Sequence, residues 1–446
     1  MGSMKRLMAL GAAALLLAAA ASCGGDDDSG GDTASTSPVT TAEMPASDPT
    51  TTIASATTAT VGGAPATSTP EGPATGEPIL IGGMSPESAA QGNQPGVRPA
   101  MEAVAAYLNA RGGINGRPIE IDFCDHKNDP NLLTQCTQDM VSKDVVALVG
   151  AFVNNPAYLP VLEQAGIASI EGAAVAGPQV MQSKISFPVA SGALALAYGL
   201  ADIAQTQGLS NLASVESALP ATKPIGDAFK AAVALNHLTL DQSVTVPQTL
   251  TDLASVVAQA DGSDATFLLL PPNQVLAYVQ AAKQAGSTTT LLVSSGLLQQ
   301  KFIDDTGGAS SPAEGTLISD FYPAGADPAW DEFRVAIDEY DGDTKDIDLD
   351  NSVIKSVWVT MQVFAAVAST IDGDVTNASL LEALNGASDV EVPGLGLTLD
   401  FTTEFAAASS PRLFNRSIYP VTVKDGKFAT LGDGTPIDTT KYFEAS

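Results

Sequence analysis

The chain has 446 residues, with 50 acidic and 20 basic side chains and a formal net charge of −30. Nucleic acids and anionic membrane surfaces are bound by clustered Lys and Arg, and this composition therefore excludes nucleic acid as a partner. Apolar residues make up 45% of the chain. Roughly 370 residues look globular, which is enough for two lobes that each have a core.

The N-terminus is predicted to be an export signal. Residues 4–6 are Met-Lys-Arg, and residues 7–21 are continuously apolar. This stretch is shorter than a membrane span of about 20 residues, and it is typical of a signal-peptide core. Ala20-Ala21-Ser22-Cys23 then resembles a bacterial lipobox. We expect residues 1–23 to be signal peptide and lipobox, with a lipid on Cys23 that anchors the protein in the membrane. The alternative is an ordinary secretory signal with an incidental cysteine.

Residues 24–76 are predicted to form a disordered linker. They are almost wholly Ser, Thr, Ala, Gly, Pro and Asp. Such a segment buries too little apolar surface to offset its conformational entropy. We interpret it as a flexible stalk across the cell envelope. No later run reaches about 18 apolar residues, so the sequence predicts no further membrane span.

Strand and helix patterns alternate along the body of the chain, restart near residue 211, and give way to a mainly helical stretch at 327–384. Repeated alternation is typical of parallel sheets with helices on both faces. The predicted fold class is therefore α/β, with two doubly wound parallel-sheet lobes. The predicted strands cover residues 79–81, 119–123, 145–149, 167–170, 211–215, 265–270, 291–293 and 417–423.

Two cysteines lie in the predicted body, Cys124 and Cys136. An extracytoplasmic location permits a disulfide bond between them, which would add roughly 3 kcal/mol of stability in the chain-entropy model. The alternative is two unrelated reduced cysteines, and we expect the bond.

Patterns that carry catalysis are weak. His126 and His237 lie in separate predicted lobes and lack metal-ligand spacing. G-x-S-x-G, H-E-x-x-H and P-loop patterns are missing from the sequence. The acidic stretch 341–350 is reminiscent of a calcium loop, but Asp346 stands where the EF-hand requires Gly. We expect a solvated loop there, no enzymatic activity, no cofactor and no metal.

Several segments of the body follow one another in a specific order. They are ILIGGMSP at 79–86, YLNARGGINGR at 107–117, Cys124-Asp125 with Asp129-Pro130, the apolar run 145–150, and the closing segments 394–400 and 419–428. In this order, behind a lipobox, they resemble the leucine/isoleucine/valine-binding family of type I periplasmic binding proteins, the solute-binding proteins of ABC importers. The resemblance covers about 79–430.

The resemblance implies two lobes joined by a three-strand hinge, which close on a ligand. The chain order places the crossings near Val189, near 320–322 and near 401–416. The predicted division is 77–190 for the first part of lobe 1, 191–321 for the first part of lobe 2, 322–405 for a return to lobe 1, and 406–446 for a return to lobe 2 with the C-terminal tail.

Ligands of open α/β sheets bind beyond the carboxyl ends of the strands. The resemblance places the position that binds a carboxylate near Asn154, and the acid that pairs with an ammonium near Ser295. Val175 stands where a hydroxyl is usual, and Ile225 stands where a tyrosine is usual. The predicted ligand-binding residues are Ser85, Gln91, Asn154, Asn155, Glu171, Ala173, Ala174, Ile225, Pro271, Ser295 and Tyr322.

Each of these assignments has a plainer alternative. Asn154 and Asn155 would serve equally to cap the helix opened by Pro156. Glu171 would point to solvent, and Tyr322 would pack in the hinge.

The predicted function is an extracytoplasmic, lipid-anchored, monomeric substrate-binding protein of an ABC importer. Its partners would be a small organic solute of amino-acid, amide or carboxylate/aromatic type and an ABC permease in the membrane. The departures at Val175, Ile225 and Ser295 predict that leucine, isoleucine and valine are not the preferred solutes. The alternative is a ligand-sensing receptor component with the same fold.

Overall fold

The structure is a computed structural model that describes residues 72–89, 92–172, 177–392, 395–407 and 409–445. These residues belong to one compact unit. Within the described ranges, no helix combines the length and the apolar character that a membrane span requires. The predictions for the signal peptide and most of the linker lie outside the described residues. So do those for Cys23, Gln91, Ala173, Ala174 and Val175.

The first lobe is built on a five-stranded sheet in which every neighbouring pair of strands is parallel. The strand order is β2-β1-β3-β4-β5. Its central strands are nearly continuous apolar runs, because helices cover both faces of a parallel sheet. The strands are β1 (Ile79–Ser85), β2 (Ile119–Asp125), β3 (Ala147–Val149), β4 (Ala168–Glu171) and β5 (Ser186–Pro188).

The second lobe is built on an eight-stranded sheet with the order β14-β13-β10-β9-β8-β6-β7, in which β15 pairs with β13. Five of its strands are parallel, and β13 joins β10 in the antiparallel direction. The strands are β6 (Asn211–Ser217), β7 (Thr239–Val246), β8 (Ala265–Leu269), β9 (Thr290–Ser294), β10 (Leu317–Asp320), β13 (Ser417–Lys424), β14 (Lys427–Thr430) and β15 (Ile437–Asp438). A separate hairpin pairs β11 (Val390–Val392) with β12 (Leu397–Leu399).

Helices flank both sheets, and local sequence explains where several of them begin. Asp129 accepts hydrogen bonds from the amides of Asn131 and Leu132 at the start of the second helix, which opens with Pro130. Thr376 and Ser379 form a reciprocal capping box. The helices are α1 (Val97–Ala110), α2 (Pro130–Ser142), α3 (Leu159–Ala165), α4 (Gly192–Thr206), α5 (Lys223–Leu235), α6 (Ala254–Ala260), α7 (Pro272–Ala285), α8 (Gln300–Asp305), α9 (Asp331–Asp338), α10 (Ser352–Ala368), α11 (Asn377–Asn385) and α12 (Thr440–Glu444).

The chain passes between the two lobes three times. After β5 it enters α4, which packs on β9, β10 and β13 of the second lobe. After β10 it returns through α9 and α10, which pack on α1 of the first lobe. After β12 it runs back to β13. The predicted fold class, two doubly wound lobes of α/β type, is confirmed.

Cys124 on β2 and Cys136 on α2 form a disulfide bond, with their Cα atoms 5.9 Å apart. The bond therefore ties an edge strand of the first sheet to the helix that follows it. Upstream, residues 74–76, which lie in the predicted linker range, already donate backbone hydrogen bonds to Asn109 and Gly116 in and after α1.

Candidate functional site

The carboxyl ends of the parallel strands carry most of the predicted site. In the first lobe, Ser85 ends β1, Glu171 ends β4, and Asn154 and Asn155 follow β3. In the second lobe, Pro271 follows β8, Ser295 follows β9, and Tyr322 follows β10. Ile225 instead lies in the first turn of α5 and is half-buried against the core.

A buried polar cluster joins the two lobes at this edge. We call Ser295, Asp320, Ser352 and Lys355 the interlobe cluster. Ser352 and Lys355 lie in the first turn of α10, so their side chains reach β10 from the first lobe. The Asp320 carboxylate accepts a hydrogen bond of 2.8 Å from the Ser352 hydroxyl, and it lies 3.2 Å from the Lys355 ammonium. The hydroxyls of Ser352 and Ser295 are also hydrogen-bonded to each other.

Lys355 is 1% exposed and Asp320 is 8% exposed at the side chain, so the pair is removed from water. The Lys355 ammonium also donates a hydrogen bond of 2.8 Å to the carbonyl of Pro323. A buried charge is tolerated when a counter-ion and further hydrogen bonds satisfy it. The pair meets this condition in this arrangement of the lobes.

A small cavity of about 20 Å³ adjoins the interlobe cluster. Its lining combines polar groups with apolar side chains: Ser294, Ser295, Asp320, Asp350 and Lys355, and Leu298, Ile318, Val421 and Phe428. Its size suits one or two water-sized groups. The Ser294 hydroxyl is buried without a hydrogen-bond partner among the described residues. Burial raises the pKa of Asp350, and repulsion from Asp348 adds to this. The cavity therefore has a mixed polar and apolar lining and is far smaller than an organic solute.

Glu171 is buried and does not point to solvent. Its carboxylate accepts a hydrogen bond of 2.9 Å from the Tyr158 hydroxyl and a second one from Ser186. Burial raises its pKa to about 7, although the hydroxyl donors oppose the shift. Glu171 thus carries a carboxyl group that titrates near neutral pH inside the first lobe.

Tyr322 is fully buried at the second passage between the lobes, and its hydroxyl donates a hydrogen bond of 2.5 Å to the carbonyl of Gly172. Its amide donates to the carboxylate of Asp320. In this conformation its hydroxyl is used inside the protein. The hydroxyl of Ser85 is likewise buried and donates to the carbonyl of Gln94.

The two asparagines after β3 differ in their surroundings. Asn155 accepts a hydrogen bond of 2.9 Å from the amide of Ala157, and it caps a short 3₁₀ helix, Pro156–Tyr158. Asn154 is exposed. Capping therefore accounts for Asn155, while the side chain of Asn154 is exposed after β3.

The sequence predicts Ser295 at this edge, but not Asp320, Ser352, Lys355 or Asp350. A lysine inside an otherwise apolar stretch of α10 was the available signal, because a buried lysine requires a counter-ion. Asp350 belongs to the acidic stretch 341–350, whose last residue is half-buried instead of solvated. Within the described ranges, no group of three or more His, Cys, Asp and Glu side chains converges on a metal position.

The two lobes, the three passages between them and the polar cluster between the carboxyl edge of the second sheet and α10 define a two-lobed binding protein. The family model for periplasmic binding proteins matches residues 78–427. The chain therefore belongs to this family of periplasmic binding proteins. No curated protein sequence matches it significantly.

Solved structures with the same fold include three solute-binding proteins. A fatty acid ABC transporter substrate-binding protein from Thermomonospora curvata is 19% identical, with a TM-score of 0.62 over 85% of this chain and 97% of that one. A leucine-binding protein from Thermotoga maritima is 14% identical, with a TM-score of 0.60 over 81% and 99%. A solute-binding protein from R. palustris in complex with 4-hydroxybenzoate is 15% identical, with a TM-score of 0.62 over 81% and 96%.

Proposed function

We propose that the protein is the extracytoplasmic receptor of an ABC importer, tethered by a lipid on Cys23, and that it delivers a small organic solute to a membrane permease as a monomer. The solute is bound between the lobes and is not chemically changed. The lobes divide near Val189, near 320–322 and near 401–416.

The observation that supports this proposal best is the interlobe cluster. It brings the carboxyl edge of the second sheet, at Ser295 and Asp320, against α10 of the first lobe. A solute that contacts both edges stabilises the closed arrangement, because its contacts are complete only there.

The residues at the edges favour a solute without an α-ammonium group. Ser295 offers a hydroxyl where the resemblance places an acid. The carboxylate of Asp320 is already paired with Lys355. An incoming ammonium would have to compete with this lysine. In the first lobe, Asn154 presents an exposed amide, which can donate to a carboxylate. We therefore propose a carboxylate or aromatic solute. Solved proteins with the same fold include a fatty acid ABC transporter substrate-binding protein and one in complex with 4-hydroxybenzoate.

A thermal-shift screen of the full chain, followed by titration calorimetry, tests the solute class. The panel contains 4-hydroxybenzoate, octanoate, acetamide and the three branched-chain amino acids. Two or three missing polar contacts, each worth roughly 1–3 kcal/mol, predict affinities for leucine, isoleucine and valine that are weaker by about 10² or more. Submicromolar affinity for any of these three would overturn the assignment. Small-angle scattering should show a smaller radius of gyration when the preferred solute binds.

The tether is tested by replacing Cys23→Ala and fractionating the cells. The wild-type protein should sediment with membranes, and its mass should include the lipid. The variant should lose the lipid. If wild type and variant distribute alike between the two fractions, Cys23 is not the tether.

A further inference from the structure

His126 lies immediately after β2, at the same edge as the proposed binding loop, and its side chain is buried. Its Nε2 lies 3.1 Å from the carbonyl oxygen of Phe152, which belongs to the loop after β3. Its Nδ1 accepts a hydrogen bond of 3.2 Å from the amide of Asn128. These two contacts together require the neutral ring with its proton on Nε2.

The backbone around His126 connects three loops. The amide of His126 donates to the carbonyl of Ser85 at the end of β1. The amide of Phe152 donates to the carbonyl of Met84, also on β1, at 2.9 Å. Phe152 is therefore held on both sides, by β1 through its amide and by His126 through its carbonyl. Two residues further on stands Asn154, the exposed amide at this edge.

The turn that carries His126 is tied on both sides. Cys124, two residues earlier, is bonded to Cys136 on α2. The carbonyl of His126 accepts from the amide of Asp129, which caps α2. The turn between β2 and α2 is thus held covalently on one side and by a helix cap on the other. A change in the protonation of the ring therefore acts on a turn that is tied at both ends.

We propose that His126 is a positioning residue for the binding loop 150–155: its neutral ring fixes Phe152, and its protonation releases the loop and lowers the affinity for solute. This inference rests on the proposed function of the loop. A second proton would have to sit on Nδ1, which faces the amide hydrogen of Asn128. Two donors would then point at each other, so the turn or the ring has to move.

The charges near the ring bear on this proton. Burial lowers the pKa of His126, while the carboxylate of Asp125 and the hydrogen bond to Phe152 raise it. Glu87, in the loop after β1, is paired with Arg98 on α1 at 2.6 Å. The loop 150–155 contains no charged residue, and Lys127 and Asp129 flank the turn itself. The folded protein therefore favours the neutral ring. Its contribution to the free energy of unfolding is present above the usual titration range of histidine, and it is lost as the pH falls through the lowered pKa of His126.

The test uses the full chain without solute. Its result therefore does not depend on finding the right solute, and a failed solute screen can be told apart from a failure of this inference. The chain has only two histidines, and His237 is exposed. NMR of histidine-labelled protein should show His126 as the neutral Nε2–H tautomer and titrating below the usual range of histidine. Hydrogen exchange of residues 150–155 should accelerate as His126 becomes protonated, after correction for the intrinsic effect of pH.

Two variants and one control complete the experiment. His126→Phe should exchange about tenfold faster in this loop at pH 7, because it lacks the donor to Phe152. His126→Gln keeps a donor that does not titrate, so it should restore protection and abolish the pH dependence. His237→Gln should behave as wild type. Unchanged exchange in His126→Phe, or wild-type exchange that does not follow the protonation of His126, would overturn the inference. If His126→Phe does not fold, the wild-type titration decides alone.

Discussion

The two lobes secure their carboxyl edges by different chemistry. In the first lobe, a disulfide bond ties β2 to α2, and the carboxylate of Glu171 accepts hydrogen bonds from the hydroxyls of Tyr158 and Ser186 and has no directly bonded cation among the described residues. In the second lobe, Asp320 has an ammonium as partner, supplied by Lys355 across the interface. Glu171 and Asp320 each end a parallel strand beside a passage between the lobes. Because their positions are alike, the difference between them comes from the groups that bind each carboxylate.

The difference has a physical consequence for what perturbs each edge. A buried carboxyl group without a directly bonded cation is neutralised more easily. Burial raises the pKa of Glu171 to about 7, although the charge of Arg412 opposes the shift, so this group is sensitive to pH near neutrality. A buried ion pair depends on both of its members, so the second edge is sensitive to the loss of either charge. Each prediction below removes one of these supports.

The largest effect is expected from Lys355→Met. The substitution conserves the apolar stem but leaves Asp320 buried without its counter-ion. Breaking a buried pair in this way costs about 3–5 kcal/mol. The free energy of unfolding, measured by urea titration at pH 7.5, should fall by that amount.

Lys441→Met is the matched control, since Lys441 lies 2.9 Å from Asp202 but is 56% exposed. It should cost no more than about 1 kcal/mol. The double variant Asp320→Asn, Lys355→Met should recover part of the loss, because no charge is left unpaired. A Lys355→Met variant as stable as the control would contradict the role of the ion pair.

The second effect is the pH dependence that Glu171 contributes. Its pKa is raised from 4.5 to about 7 in the folded protein. The folded state therefore binds more protons than the unfolded state between these pH values, and stability from this group falls as the pH rises through them, by about 3 kcal/mol in total. In Glu171→Gln this component should vanish. The free energy of unfolding should therefore differ less between pH 5 and pH 8 than it does in the wild type.

Glu163→Gln serves as the control for Glu171. Glu163 also accepts a hydrogen bond from a serine hydroxyl, that of Ser183, but it is exposed. Its profile should follow wild type. Equal slopes in all three proteins would show that Glu171 does not titrate in this range.

The third effect concerns the disulfide bond in the first lobe. Replacing Cys124 and Cys136 together by Ser should lower the free energy of unfolding by roughly 2–3 kcal/mol, because the bond closes a short loop in the unfolded chain. Dithiothreitol should lower the stability of the wild type similarly and leave the double variant unchanged. Thiol counting on the denatured, unreduced body should find neither cysteine free, and two reactive thiols there would refute the bond.

Much of the fold was predictable because periodicity is a local property. The strands β1 to β4 and the helical return through α10 follow from apolar runs and stripes. Helix α4 was missed, because its residues are apolar on nearly all sides and present no stripe. Strand β7 was missed as well, since it lies at the edge of its sheet and is mostly exposed.

The site was less predictable because it is made by pairing across the chain. Lys355 and Asp320 are 35 residues apart, and only the passage of the chain through α9 brings them together. Features formed by residues close in sequence were easier to predict. The disulfide between Cys124 and Cys136 and the cap at Asn155 are two examples. For Glu171, the sequence supplied the position but not the partners Tyr158 and Ser186, so its burial was not foreseen.

The smallest effect separates the two asparagines of the binding loop. Asn155→Ala removes the acceptor for the amide of Ala157 and should cost about 1 kcal/mol, as loss of an N-terminal cap typically does. Asn154→Ala is its matched control, because Asn154 is exposed, and it should change stability by less than about 0.5 kcal/mol. Calorimetry with the best solute from the screen should show the reverse order, with the larger loss of affinity in Asn154→Ala. If Asn155→Ala loses affinity at unchanged stability, the cap is not its role, and the solute contact lies one residue later than we propose.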